Sequence, residues 1–528
     1  MKNKIFISVI FISAILAGAC TDSGKNVNIQ KPNILIALAN GISYPHMSAY
    51  GTKWVQTPGF DRVAEEGILF RNAYTSNSIS SPSRASFLTG RNSWQLEDAA
   101  NNEPYFPVNY TGFIEALDNN GYYTGYTARG WYPGIALDSS GAERHLTGKP
   151  FNSRTTVPPS TGISDIDYTG NFIDFLDSRE KDKPFCFWYG ADEPGRRYEF
   201  GSGVKQGKRS VSDIDRVPGF WPDNEVVRTD MLDYAFEIQY FDSHLAKMLQ
   251  ILEERGELEN TIVIVTADNG MPFPRAKGQA YEYSNHIPLS IMWGRGIRNK
   301  GREVLDFISL TDIVPTILEA TGIDVSKTGM QKFQGRSFMN IFSSAKKGWI
   351  DDTRKFVLTG RERNNPGRPG DAGYPVRGII MDGFLFITNY FPQRWPSGNP
   401  ETGYPDVESS PTKSSILDLQ RSGSNHDYWR MSFDRRPEEE LYLLSEDPEC
   451  IKNLANDPGY NPVKRRLNEE LYLELLQQDD PRVYDKGDVF DKYPYGRENL
   501  RDFFGKLRRG ELTAKDAEWL DPSDFESY

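Results

Sequence analysis

The run Ser80-Ser81-Pro82-Ser83-Arg84, continued by Ala85-Ser86-Phe87-Leu88-Thr89-Gly90-Arg91, is where residue type and spacing come closest to specifying a chemistry. Proline suits the first turn of a helix and glycine its end, so Pro82 and Gly90 predict a helix between them. Ser80 then stands at the helix N-terminus, where free N–H groups and the helix dipole favour an anion. Arg84, one turn further on, adds a fixed positive fork. The same spacing also describes a serine-capped surface helix, and the run alone leaves both readings open.

Such residues need a scaffold, and the hydropathy pattern supplies one. Asn33 to Leu38, Tyr122 to Thr127, Phe185 to Tyr189 and Thr261 to Val265 read as strands, most of them apolar throughout, as in a sheet buried on both faces. Phe113 to Leu117, Phe172 to Leu176 and Met231 to Arg255 read as helices, the last stopped by Gly256. This alternation predicts an α/β fold with a mainly parallel sheet flanked by helices. Ligands of such sheets bind beyond the carboxyl ends of the strands. Those ends deliver Asn40 and Gly41, then Arg129, then Asp192, Glu193 and Arg196, then Asp268 and Asn269. Asp268-Asn269-Gly270 is equally the composition of an ordinary turn.

Taken together, these residues resemble the sulfatase family of the alkaline-phosphatase superfamily. Ser80-x-Pro82-Ser83-Arg84 with Leu88-Thr89-Gly90-Arg91 matches the family signature in its serine form. The likeness extends through Pro32-Asn33-Ile34-Leu35, Tyr44-Pro45-His46, Thr266 to Lys277 and Arg436 to Tyr442. Met271-Pro272-Phe273-Pro274-Arg275-x-Lys277 is similar to the N-sulfoglucosamine sulfohydrolase branch. The resemblance implies an alkaline-phosphatase-like α/β domain with a smaller C-terminal α+β domain. It implies that an anaerobic maturing enzyme oxidises Ser80 to formylglycine, whose hydrated aldehyde attacks sulfur. It also implies a sulfated oligosaccharide or glycosaminoglycan fragment as substrate and one calcium ion as cofactor. Carried over by position, Ser80, Arg84, Lys277 and Arg129 fall at catalytic places. Asp268, Asn269 and Asn40 fall at the metal, and His46, Glu193, Arg196, Arg361 and Arg377 at the substrate.

Several positions depart from that pattern. Two aspartates are expected after the first strand, where Asn40 and Gly41 stand. Calcium prefers six to eight oxygens with several carboxylates, so reduced or absent calcium affinity is expected. Arg129 replaces a lysine, and arginine does not donate a proton as lysine can. Gly195 replaces a histidine in Glu193-Pro194-Gly195-Arg196, which removes a general acid worth ~10²–10⁴ in rate. Asn364 follows Gly360-Arg361-Glu362-Arg363 where related enzymes carry another histidine. Two functions therefore compete: a glycan sulfatase, weak or inactive, and a catalytically silent binder of sulfated glycans on a bacterial envelope. A phosphatase using Ser80 directly would need two zinc sites rich in Asp and His, and the chain holds five histidines.

The bulk properties bound the rest. The chain has 528 residues, 38% of them hydrophobic, enough for a packed core. A net charge of −12 argues against a nucleic-acid partner. Residues 1–19 read as a secretory signal and 20–31 as a tether, with Cys20 in a lipobox-like setting that predicts a lipid anchor. An ordinary cleaved signal is the other reading. The expected location is an exported bacterial lipoprotein, in the periplasm or on the outer membrane. The expected domains are 32–347, 348–480 and a tail at 481–528. Cys186 and Cys450 are expected to be free thiols.

Overall fold

A computed structural model describes residues 31–526, so Cys20 and the N-terminal signal lie outside the described residues. Eight strands form the central sheet: β1 (Asn33–Ala39), β2 (Ile68–Tyr74), β3 (Tyr123–Ala128), β4 (Lys149–Pro150), β5 (Phe185–Gly190), β6 (Thr261–Ala267), β7 (Leu289–Met292) and β8 (Arg302–Ser309). Their order is β8-β2-β7-β6-β1-β5-β3-β4. All neighbours pair in parallel except β7, which runs against both β2 and β6. The mainly parallel α/β architecture is therefore the one the apolar runs predict.

Burial explains why those runs were legible. Every residue of β1, β5 and β6 is buried, because helices cover both faces of the sheet. α1 (Pro58–Glu65), α2 (Ser80–Thr89), α3 (Phe113–Asn119) and α4 (Tyr168–Ser178) follow in chain order. α5 spans Glu225–Glu254, and the Asn224 side chain caps it by accepting from the Val227 N–H. α2 ends on Gly90 at φ 67, a left-handed conformation that glycine adopts without a Cβ clash.

Register sets the site. Ile34–Leu38 of β1 lie level with Cys186–Gly190 on one side and Ile262–Thr266 on the other. Ala128 of β3 is level with Gly190. The residues just past these strands therefore emerge side by side at one edge of the sheet.

A second, antiparallel sheet is built from β9 (Phe356–Arg361), β10 (Val376–Met381), β11 (Phe384–Asn389) and β12 (Glu439–Leu443), in that order. One face packs Val357, Val376, Ile380 and Leu385 against Tyr74, Tyr281 and Phe307 of the first layer. The other takes Leu467, Leu471 and Leu475 of α6 (Asn461–Gln477) together with Trp94. Beyond α6 the chain folds into a small cluster of Tyr495, Leu500, Phe503, Ala517 and Leu520. A fully buried pair, Lys413 Nζ to Asp524 Oδ2 at 3.0 Å, fastens that tail.

Candidate functional site

Three strand ends and one helix start converge on Ser80. Its Oγ donates to Asn40 Oδ1 at 3.3 Å and accepts from Asn269 Nδ2 at 3.2 Å. Asn269 Nδ2 also reaches Asp268 Oδ1 at 2.7 Å, and Asn269 Oδ1 accepts from Lys277 Nζ at 3.1 Å. Asp268 Oδ2 accepts from Arg84 Nε at 2.9 Å, and neither side chain is exposed. Arg84 Nη1 donates to the Gly130 carbonyl at 3.1 Å. Burial lowers the Arg84 pKa, while Asp268 acts in the opposite sense and supports the charge.

The pocket above Ser80 has a volume of about 320 Å³. Asn40, Ser80 and Lys277 line it, with Arg129, Gly195 and Arg196 at the sides. Arg129 is paired with Asp192, and Arg196 grips Asp230 with both Nη atoms, at 2.5 and 2.9 Å. The Arg196 guanidinium also lies 4.2 Å from the ring centres of Tyr198 and Phe273. Lys277 differs from both: it is buried to 8% exposure and enters no ion pair among the described residues.

The donor set does not fit calcium. Asp268 is the single carboxylate among the three expected ligands, and both its oxygens are engaged, by Arg84 and Asn269. Gly41 offers no side chain and sits at φ +95, where any substituted side chain would be strained. Among the described residues no three His, Cys, Asp or Glu side chains group to hold a metal ion. Gly195 is closed off as well: a Cβ there would lie 2.3 Å from Asn40 Nδ2 and 2.7 Å from the Asp192 carbonyl. The amide of Asn40 fills the space into which a side chain at 195 would grow.

Ser80, Arg84, Asn40, Asp268, Asn269, Lys277, Arg129 and Arg196 are thus brought together, and four residues expected at the substrate are not. His46 is buried among Trp54, Tyr234 and Tyr283, its Nδ1 3.4 Å from Tyr234 Oη. Glu193 is buried behind the pocket, accepting from the Ser164 N–H at 2.9 Å and Tyr168 Oη at 2.8 Å. Burial raises its pKa to about 7. Arg361 donates to the carbonyls of Tyr374 and Pro396. Arg377 is fully buried between Asp480 and Glu362. The chain's own folding uses these four side chains, and that region's contribution to the pocket comes instead from Asn364, Asn365, Asp406 and Glu408.

Sequence reasoning also missed the pocket mouth. Glu103, Tyr132, Arg497, Glu518 and Trp519 line it, and three of these come from the C-terminal tail. Arg497 Nε meets Glu103 Oε2 at 2.6 Å, and Trp519 Nε1 donates to the Pro405 carbonyl at 2.9 Å. No local motif marks the three tail residues, since only the return of the tail brings them near Ser80.

The family model described as Sulfatase matches residues 32–323, more than half of the chain. An ulvan-active sulfatase of Formosa agariphila is 24% identical over 534 residues, covering 93% of this chain and 84% of its own length. Human N-sulphoglucosamine sulphohydrolase is 25% identical over 497 residues, covering 85% of this chain and 91% of its own. Among solved structures, one in complex with its substrate D-glucosamine-2-N,6-O-disulfate superposes with a TM-score of 0.62 at 20% identity. It covers 86% of this chain and 100% of that one.

Proposed function

The chain belongs to the sulfatase family, and from that premise we propose that it binds sulfated saccharides through the Ser80 pocket without turning them over by the family's calcium-assisted route. One observation carries the reading: Lys277 Nζ, bonded to Asn269 Oδ1, lines the pocket beside a serine at a helix N-terminus with no carboxylate within ion-pair distance among the described residues. An anion seated against it would complete a charge-assisted pair that the chain itself does not supply. The first N–H groups of α2 and the Lys277 Nζ together suit a sulfate ester.

Hydrolysis is a different demand. It needs a nucleophile, charge neutralisation at the sulfate oxygens and a proton for the leaving oxygen. Ser80 is held between two carboxamides, neither of them a base. Asp268 is committed to Arg84, and position 195 carries no side chain that could protonate a leaving group. The site can hold and orient a sulfate, but it lacks the histidine expected at position 195 to protonate the departing alcohol.

A glucosamine bearing N- or 6-O-sulfate is the ligand class we favour, supported by the substrate of the structural neighbour and the activities of the relatives. Display at the cell envelope is part of the proposal, supported by Lys2, Lys4, the apolar run from Ile5 and Cys20. A second reading keeps the family reaction, with Ser80 oxidised by a maturing enzyme. The intact Ser80-x-Pro82-Ser83-Arg84 run favours it.

Calorimetry with glucosamine N,6-O-disulfate and its desulfated counterpart tests the first reading. Binding is expected only for the sulfated sugar, and Lys277→Ala should weaken it by at least about 2 kcal/mol, roughly 30-fold. For the second, the protein is co-expressed with an anaerobic maturase, the Ser80 peptide is weighed, and sulfate release is assayed with calcium present. Turnover that Ser80→Ala abolishes would replace the binder by a working sulfatase.

A further inference from the structure

Beside the Ser80 pocket lies a second cavity of about 590 Å³, lined among others by Tyr126, Trp131, Tyr132, Arg144 and His145. Arg129 and Tyr132 line both spaces, so the two adjoin across these side chains. We propose that this cavity receives a second sugar ring, and that the natural ligand is an oligosaccharide whose sulfated unit sits over Ser80. The inference rests on the sulfate-binding reading of the Ser80 pocket and adds to it where the rest of the glycan goes.

Its size is that of a small-ligand site, which typically runs to about 300–1,000 Å³. Its chemistry is that of a sugar ring and not of a second sulfate. The two arginines are already neutralised, Arg129 by Asp192 and Arg144 by Glu115 at 2.7 Å, with a further bond from Arg144 to the Tyr110 carbonyl at 2.6 Å. His145 Nδ1 lies 3.8 Å from Glu143. No uncompensated cation faces this space as Lys277 faces the first.

What it offers instead is aromatic surface with polar edges. Tyr132 is 43% exposed at the junction of the two cavities. Trp131 is fixed in place, its Nε1 donating to the Ser81 carbonyl at 3.2 Å and its ring edge-on to Phe106. Tyr126 is half-buried on β3. A pyranose presents an apolar C–H face and a rim of hydroxyls, and a wall of tyrosine and tryptophan beside His145, Glu143 and Thr147 matches both. Because Trp131 is held by its hydrogen bond and ring contact, that part of the wall needs little ordering when the sugar arrives.

Titration calorimetry compares glucosamine N,6-O-disulfate with a trisaccharide carrying that unit at one end, and with the desulfated trisaccharide. The trisaccharide should bind about tenfold more tightly than the monosaccharide, the desulfated one not at all. In Tyr126→Ala, and in the surface variant His145→Ala, the trisaccharide should lose most of that advantage. Equal affinities for mono- and trisaccharide would overturn the second subsite while leaving the sulfate seat in place. An advantage that survives both substitutions would overturn it too, since the second ring would then lie elsewhere. If neither sulfated sugar binds, or Lys277→Ala binds both undiminished, the underlying reading of the Ser80 pocket fails and the subsite fails with it.

Discussion

At the scale of single residues, the departures from the family pattern are locked together. Asn40 stands where a carboxylate is expected, and its amide fills the volume next to Gly195, where an imidazole is expected. The same amide bonds to Ser80 and to the Asp192 carbonyl. Gly41 takes a φ of +95 against the Gly270 carbonyl. Restoring the family residues one by one therefore meets sterics before it meets chemistry. Gly41→Asp should cost about 1–3 kcal/mol of stability through backbone strain. Gly195→His should cost about 1–3 kcal/mol through overpacking. Adding Asn40→Asp keeps an atom where the Asn40 amide nitrogen now lies, so the clash persists. Scanning calorimetry of the triple variant with and without calcium chloride decides the matter. We expect a lowered midpoint that calcium does not raise, because an ion that does not bind the fold cannot stabilise it. A calcium-dependent rise would show that the cage can be rebuilt and that the lock is looser than the geometry implies.

At the scale of elements, what was legible was what burial writes into composition. β1, β5 and β6 are apolar on both faces, and each was recognisable from its run alone. β2, β7 and β8 were not. β2 carries Arg71 and Asn72 in its middle, β7 is four residues long, and β8 mixes Arg302, Glu303 and Asp306 into its apolar positions. The site followed the same rule. Ser80, Asn40, Asp268, Asn269 and Arg129 were placed because each follows directly from a strand or opens a helix. Arg361 and Arg377 were misplaced because residue type does not tell a buried arginine from one that meets a ligand. Arg377 joins β10 to the segment after α6 through Asp480 Oδ2 at 2.7 Å and Glu362 Oε1 at 2.7 Å, all three buried. Glu362 keeps a second partner in Arg482, whereas Asp480 depends on Arg377 for its ion pair. Arg377→Ala should therefore destabilise the protein by about 3–5 kcal/mol, since a buried carboxylate is left unpaired. Arg377→Met combined with Asp480→Leu should cost clearly less, since the stranded charge leaves with its partner. Urea denaturation followed by tryptophan fluorescence separates the two. Equal losses in both variants would mean that packing, not charge, holds this joint.

At the scale of the whole molecule, the pocket is a product of distant parts, with strand ends for its floor, the second layer for one wall and the last forty residues for its mouth. Such assembly leaves buried groups whose ionisation couples to the entire fold, and they pull in opposite directions. Burial raises Glu193 to about 7 and Asp233 to about 6, so acidification favours the fold through them. Burial lowers His46 to about 3 and His244 to about 4, so acidification opposes it. The wild-type pH profile sums these terms, and a difference between proteins isolates one of them. His46 is the cleanest choice, because burial is the sole cause of its shift and its neighbours are the rings of Trp54, Tyr234 and Tyr283. An unfolded histidine titrates near 6.5. The folded one binds its proton only near 3, so between these values the unfolded chain holds more protons and stability falls as pH falls. The stabilising contribution is whole above pH 6.5 and declines by about 1.4 kcal/mol per unit below it. His46→Phe keeps an aromatic ring and removes the titration. Between pH 7.5 and pH 5 its stability relative to wild type should therefore improve by about 2 kcal/mol, read from urea midpoints at the two pH values. A difference that does not change with pH would mean that His46 titrates in the fold as it does in water, which its enclosure by three aromatic rings does not permit.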